Sequence, residues 1–198
     1  MYSGYELIWL FFCTSFLGWL LETVSAATRQ RKFANRGIVN APFCVIYGVA
    51  AVSITVFCQE LYGFWLFAES TILATVIEWI AGHLIEKMYH ERWWDYSKIK
   101  WNLDGYICLS ASVLWGALGA VMMRWGNLLL EDIYHLLPYT VGRIVLWVLV
   151  GVLALDMAAT LIILSGRSRR MEQWEAVDSW LTGISSNLER KIYGWIDR

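Results

Sequence analysis

Five stretches of this chain are apolar over roughly the length that crosses a bilayer, and most of the charge is gathered between them. About 20 mostly apolar residues cover the ~30 Å of hydrocarbon in a membrane. The runs are Glu6 to Ala27, Pro42 to Cys58, Phe64 to Ile85, Tyr106 to Arg124 and Val141 to Leu164, of which the second is short. They predict an all-α, polytopic transmembrane bundle of about five spans over residues 1–166, followed by a tail over 167–198. With 58% hydrophobic residues in such runs, the lipid bilayer is the first partner the sequence implies. Thirteen tryptophans and ten tyrosines exceed what a small soluble core needs and suit aromatic belts at the headgroups.

Charge patterning orients the spans. Arg29, Arg31, Lys32 and Arg36 follow the first; Lys87, Arg92, Lys98 and Lys100 follow the third; Arg167, Arg169 and Arg170 follow the fifth. If all five cross, these clusters share one side, which the positive-inside rule assigns to the cytoplasm, with the N-terminus outside and the C-terminus inside. That is the expectation for a multi-pass protein of a bacterial cell membrane. The first run lacks a preceding basic stretch, is long for a signal-peptide core and carries Glu22, so it reads as a retained span. A net charge near zero, without a basic face, argues against nucleic acid as a partner. Cys13, Cys44, Cys58 and Cys108 form no C-x-x-C pair, and no metal site is expected from them.

Two further segments are amphipathic. Residues Asn127 to Tyr139 look too polar and too short to span and are expected along the outer interface. In the tail, Trp174, Val177, Leu181, Ile184, Leu188, Ile192 and Trp195 recur at helical spacing, which predicts a cytoplasmic helix lying on the membrane or on a partner.

The candidate site comes from acids placed where they are expensive. A carboxylate within a span costs several kcal/mol unless it is paired, protonated or wet. Glu22, Glu78, Glu86 and Asp156 all fall in or at the edge of spans. Glu78 belongs to a polar or small stripe with Thr71, Thr75 and Gly82, and Glu22 to one with Ser15 and Gly18. These stripes are expected to face each other across a seam opening toward the cytoplasm, with Ser112, Gly116 and Gly119 beside them; such small residues also serve simple close packing. Below the seam would lie two loops. "RKFANRGIVNAP" brings Asn35 and Arg36, and "HERWWDYSKIKWNLDG" brings Asp95, Tyr96 and Asn102 among the anchoring rings of Trp93, Trp94 and Trp101.

Four motifs, "SFLGWLLE" from Ser15, "NRGIVNAPFCVIYG" from Asn35, "WWDYS" from Trp93 and "NLDGYICLSASVLWGALG" from Asn102, occur in order. Together they resemble the bacterial family of integral membrane proteins described as CmpB-type ABC-transporter permeases. The resemblance covers about Ser15 to Gly119 and carries Glu22, Asn35, Arg36, Gly37, Pro42, Tyr47, Gly48, Glu78, Glu86, Trp94, Asp95, Tyr96, Asn102, Gly105, Cys108, Trp115 and Gly116 onto motif positions. Val45 stands where the family tends to have a proline, and Tyr106 where it tends to have a base. The chain has no G-x-x-x-x-G-K-[ST] run, so the resemblance implies a separate ATP-binding subunit and more than one copy of the chain, a homo-oligomer.

Three functions remain open from the sequence. A transport component would use Glu22, Glu78 and Glu86 to bind a cation, a proton or a cationic solute. A membrane-embedded enzyme acting on a lipid or lipid-linked substrate would use Asp95 or Glu78 as base, Arg36 on a phosphate and Asn102 to orient. A non-catalytic adaptor would use the tail. Neither H-E-x-x-H nor G-x-S-x-G occurs, His83, His90 and His135 stand far apart, and neither catalytic residues nor a cofactor can be assigned.

Overall fold

A computed structural model describes residues 2–30, 41–90 and 92–162. The first helix, α1 (Gly4–Gln30), opens with a reciprocal cap: the Ser3 N–H donates to Glu6 Oε2 at 2.6 Å, and the Glu6 N–H donates to Ser3 Oγ at 3.3 Å. After α2 (Val45–Phe57) and α3 (Gly63–Tyr89), a loop containing a two-stranded antiparallel hairpin, β1 (Asn102–Leu103) with β2 (Ile107–Cys108), leads to α4 (Leu109–Val121). One π-helical turn, Met122–Gly126, then joins α4 to α5 (Asn127–His135), and α6 (Tyr139–Ile162) follows. Four helical runs, Gly4–Ser25, Gly63–Tyr89, Leu109–Ile133 and Tyr139–Ile162, are long and apolar enough to cross a membrane. The expected helical bundle is therefore present, with almost no sheet. The helices pack within a unit from Met1 to Met157; of the second unit, Ala158–Arg198, only the end of α6 is described. The amphipathic tail falls outside the described residues.

Two expectations need correction. Residues 127–139 do not form a separate interfacial helix. The π turn keeps the helix unbroken, so α5 prolongs the fourth span, and its inner face is buried through Asn127 and Leu130. Asn127 Nδ2 donates to Thr55 Oγ1 on α2 at 2.8 Å, a reason for a polar residue at that depth. The second span is also shorter than Pro42 to Cys58. Its helix has 13 residues, about 20 Å at 1.5 Å per residue, well under the hydrocarbon thickness.

The residues before α2 make up part of the difference as non-helical backbone. The Cys44 N–H donates to the Ser15 carbonyl at 2.9 Å, Phe43 packs edge-on against Phe12, and the Ala41 N–H donates to Asp156 Oδ2 at 2.6 Å. Irregular backbone among apolar spans persists only when its polar groups find protein partners. Asp156 thus accepts from a backbone amide of the segment before α2.

Small residues set the helix spacing. A Cβ on Gly48 would strike Phe11 and Ser15, one on Gly18 the ring of Tyr47, and one on Gly116 the backbone of Thr71, so α2 lies close to α1 and α4 close to α3. One core gathers Trp9, Leu10, Phe12, Phe43, Leu130 and Leu146; a second gathers Ile54, Cys58 and Leu66. Exposed apolar residues such as Leu20, Val24, Ile72 and Val76 suit lipid-facing positions.

Candidate functional site

Along α3 the buried residues run Leu66, Ser70, Ala74, Glu78, Gly82 and Ile85, one face at helical spacing. Glu78 thus points inward with only 7% of its surface exposed. Thr71 and Thr75, assigned to the same stripe from the sequence, lie beside it and return their hydroxyls to the carbonyls of Phe67 and Thr71, each at 2.7 Å.

Glu78 Oε1 accepts two bonds, from Tyr96 Oη at 3.0 Å and from Trp115 Nε1 at 3.0 Å. Its other oxygen, Oε2, is buried without a hydrogen-bond partner. Burial, and then the charge of Glu78, hold the Tyr96 phenol well above its usual range, so Tyr96 stays a donor.

Trp115 packs edge-on against Tyr47 of α2, ring centroids 5.7 Å apart, and Tyr47 Oη donates to Glu22 Oε1 at 2.7 Å. The α1 and α3 stripes consequently do not meet face to face. The close approach of α2 at Gly18 and Gly48 inserts Tyr47 between the two carboxylates, which are connected as Glu22, Tyr47, Trp115, Glu78.

Glu86 belongs to a second group at the end of α3. It pairs with Arg92 at 3.0 Å and accepts from the Tyr106 hydroxyl. The Arg92 guanidinium lies 4.5 Å from the centroid of the Tyr106 ring, against which His83 also stacks. Tyr106 thus bonds the same acid that pairs with Arg92. The hydrogen bond to Glu86 raises the Tyr106 phenol above its ordinary range.

The loop between α3 and α4 closes over this end of α3. Trp94 Nε1 donates to the Tyr106 carbonyl at 2.9 Å, and a Cβ on Gly82 would come within 2.8 Å of Tyr106 and 3.4 Å of Trp94. Asp95 and Asn102 spend their polar atoms within the loop. Asp95 accepts from the Ser97 N–H at 2.8 Å and hydroxyl at 3.0 Å, while Asn102 donates to the Ile99 carbonyl at 2.6 Å and accepts from the Gly105 N–H at 3.2 Å. Gly105 carries φ +77°, and a Cβ there would press on Asp95 Oδ1 at 2.7 Å, so this turn needs glycine twice over. Asn35 and Arg36 lie outside the described residues.

The Ser97 bonds hold the Asp95 carboxyl below its usual range. A depressed carboxyl stabilises the loop above the ordinary carboxylate pKa near 4 and loses that contribution as pH falls through the folded value. Acid titration followed by tryptophan emission should therefore show a loop transition that Asp95→Asn alters. Identical titrations of the two proteins would mean that the Asp95 turn does not hold the loop.

Tyr47 and Trp115, which the resemblance carries onto motif positions, were not among the expected binding residues. Trp115 lies 37 positions from Glu78 and Tyr47 lies 25 from Glu22, so neither shares a helix with its acid, and only the packing of α2 and α4 brings them in. No curated protein and no solved structure matches the chain. The family model described as "Putative ABC-transporter type IV" matches residues 9–161, and the chain belongs to that family of membrane proteins.

Proposed function

We propose that the protein is the membrane component of a transporter and that Glu78 is its proton- or cation-binding group. The observation that carries this reading is the unpartnered, buried Glu78 Oε2, on a carboxyl whose other oxygen already accepts from Tyr96 and Trp115. A bare carboxylate oxygen at that depth costs several kcal/mol, and a proton or a small cationic group bound to it removes the cost. Among the described residues Glu78 belongs to no group of three or more histidine, cysteine or acidic side chains that could hold a metal ion, which favours a proton or an organic cation over a metal.

Glu22 serves as a second station, reached through Tyr47 and Trp115. The Glu78 site lies toward the cytoplasmic end of the bundle in this reading. Supporting this orientation, α2 runs antiparallel to α1 and α4 antiparallel to α3, as the contacts of Gly18 with Tyr47, Gly48 with Phe11, Gly116 with Thr71 and Gly119 with Ser70 indicate. The bases at the end of α3 and after it, among them Lys87, Lys98 and Lys100, favour the cytoplasm for that end of the helix. An ATP-binding subunit, supplied separately, would dock there, and at least two copies of this chain would enclose the pathway. The enzyme reading draws less support, because Asp95 and Asn102 are already committed to loop bonds.

The test is flux. The protein, purified from its native membrane with whatever ATP-binding subunit accompanies it, is reconstituted into liposomes and assayed for proton and organic-cation movement. Glu78→Gln keeps an acceptor for Tyr96 and Trp115 but cannot gain or lose the proton. Flux should fall at least tenfold, and flux equal to wild type would overturn the assignment.

A further inference from the structure

The end of the fourth span away from the α3–α4 loop carries a separate group of metal-ligating side chains. Glu131 and His135 stand one helical turn apart on α5, with Glu131 Oε1 and His135 Nε2 3.8 Å apart. Glu6, in the first turn of α1, joins them, so that one donor atom from each of the three side chains lies within 4.8 Å of the other two. Two elements far apart in sequence thus converge two carboxylates and an imidazole on one point. Beside it opens a cavity of about 690 Å³ whose lining includes Glu6, His135 and Tyr139.

We propose that Glu6, Glu131 and His135 form a binding site for a first-row divalent transition metal, zinc being the probe of choice. Charge argues for a cation: among the described residues no lysine or arginine pairs with either carboxylate, so two negative charges stand together. Donor type argues for the class of metal. An imidazole with carboxylates suits zinc and its neighbours, whereas calcium and magnesium prefer oxygen alone. Distance fits as well. Donors about 2.1 Å from a tetrahedral ion are about 3.4 Å from each other, so the 3.8 Å edge must close by about 0.4 Å and an edge at the 4.8 Å bound by about 1.4 Å, which side-chain rotation at these partly exposed groups can supply.

Glu6 also caps α1 by accepting from the Ser3 N–H, and a carboxylate with two oxygens can keep that bond while ligating. Three protein ligands leave at least one position for water or a further ligand facing the cavity. Bound metal would tie the start of α1 to α5. The site is independent of Glu78, which belongs to α3 and the loop at the other end of the fourth span.

The experiment is zinc titration of the full chain in lipid nanodiscs against a chromophoric chelator, with thermal melting in parallel. The expected result is one zinc per chain, a zinc-dependent rise in melting temperature, and affinity at least tenfold weaker in Glu131→Gln and in His135→Ala, with Glu78→Gln binding as wild type does. Since His135 is exposed, His135→Ala should fold even if Glu131→Gln does not. Zinc affinity that is equal in wild type and His135→Ala, or no stoichiometric binding by wild type, would overturn the site and leave Glu131 and His135 as an ion pair only.

Discussion

Gly116→Leu should separate α3 from α4 and leave the protein markedly less stable. A Cβ at Gly116 would meet the Thr71 Cα at 2.7 Å, and backbone cannot swing aside as a long side chain can. Overfilling a packed interface costs typically ~1–3 kcal/mol, and a contact against main chain belongs at the upper end of that range or above it. The effect would reach the site, because Trp115 precedes Gly116 and bonds Glu78 on the facing helix. Unfolding in mixed micelles, read by tryptophan emission, measures it. Thr71→Ala, which removes the hydroxyl but leaves the backbone contact, should restore only part of the loss. A leucine variant as stable as wild type would show that the two helices can shift apart at little cost.

Glu78→Leu is the second large effect, and its contrast with Glu78→Gln separates architecture from chemistry. Leucine leaves Tyr96 Oη and Trp115 Nε1 without the acceptor they share, and each of these part-buried donors so orphaned costs at most the ~1–3 kcal/mol of a fully buried one. The apolar side chain recovers part of this, so a net loss of about 2 kcal/mol is expected. Glutamine retains an oxygen for both donors and should melt close to wild type while flux is lost. Equal stability of the leucine variant and wild type would mean that Tyr96 and Trp115 find other partners and that the acid does not organise the loop.

Much of this was legible in the sequence, and the failures have physical causes. Apolar runs are set by bilayer thickness, so the helices begin and end near the expected residues, and Glu78 stood out because a buried acid must be accounted for. The pattern could not reveal that a π turn carries the fourth span past Gly126, since the polar Asn127 is matched by Thr55, a residue 72 positions away. Nor could it tell which neighbour each stripe would face. Ser15 and Gly18 do accept a close partner, but that partner is α2 with Tyr47. Asp95 and Asn102 looked like groups aimed at a ligand because hydrogen-bonding residues serve loops and ligands alike; only their bonds to Ser97, Ile99 and Gly105 distinguish the two uses. Glu6 and His135 were unreadable as a pair because nothing in their local sequence places them together.

The seat of α2 also imposes an order in time. Its start depends on a carbonyl of α1, made before it, and on the Asp156 carboxylate of α6, which leaves the ribosome 115 residues after the Ala41 amide it satisfies. A nascent chain halted before Asp156 has α1 and α2 but no acceptor for that amide. The start of the short helix therefore gains this acceptor only once α6 has been made, some four helices after its own amide.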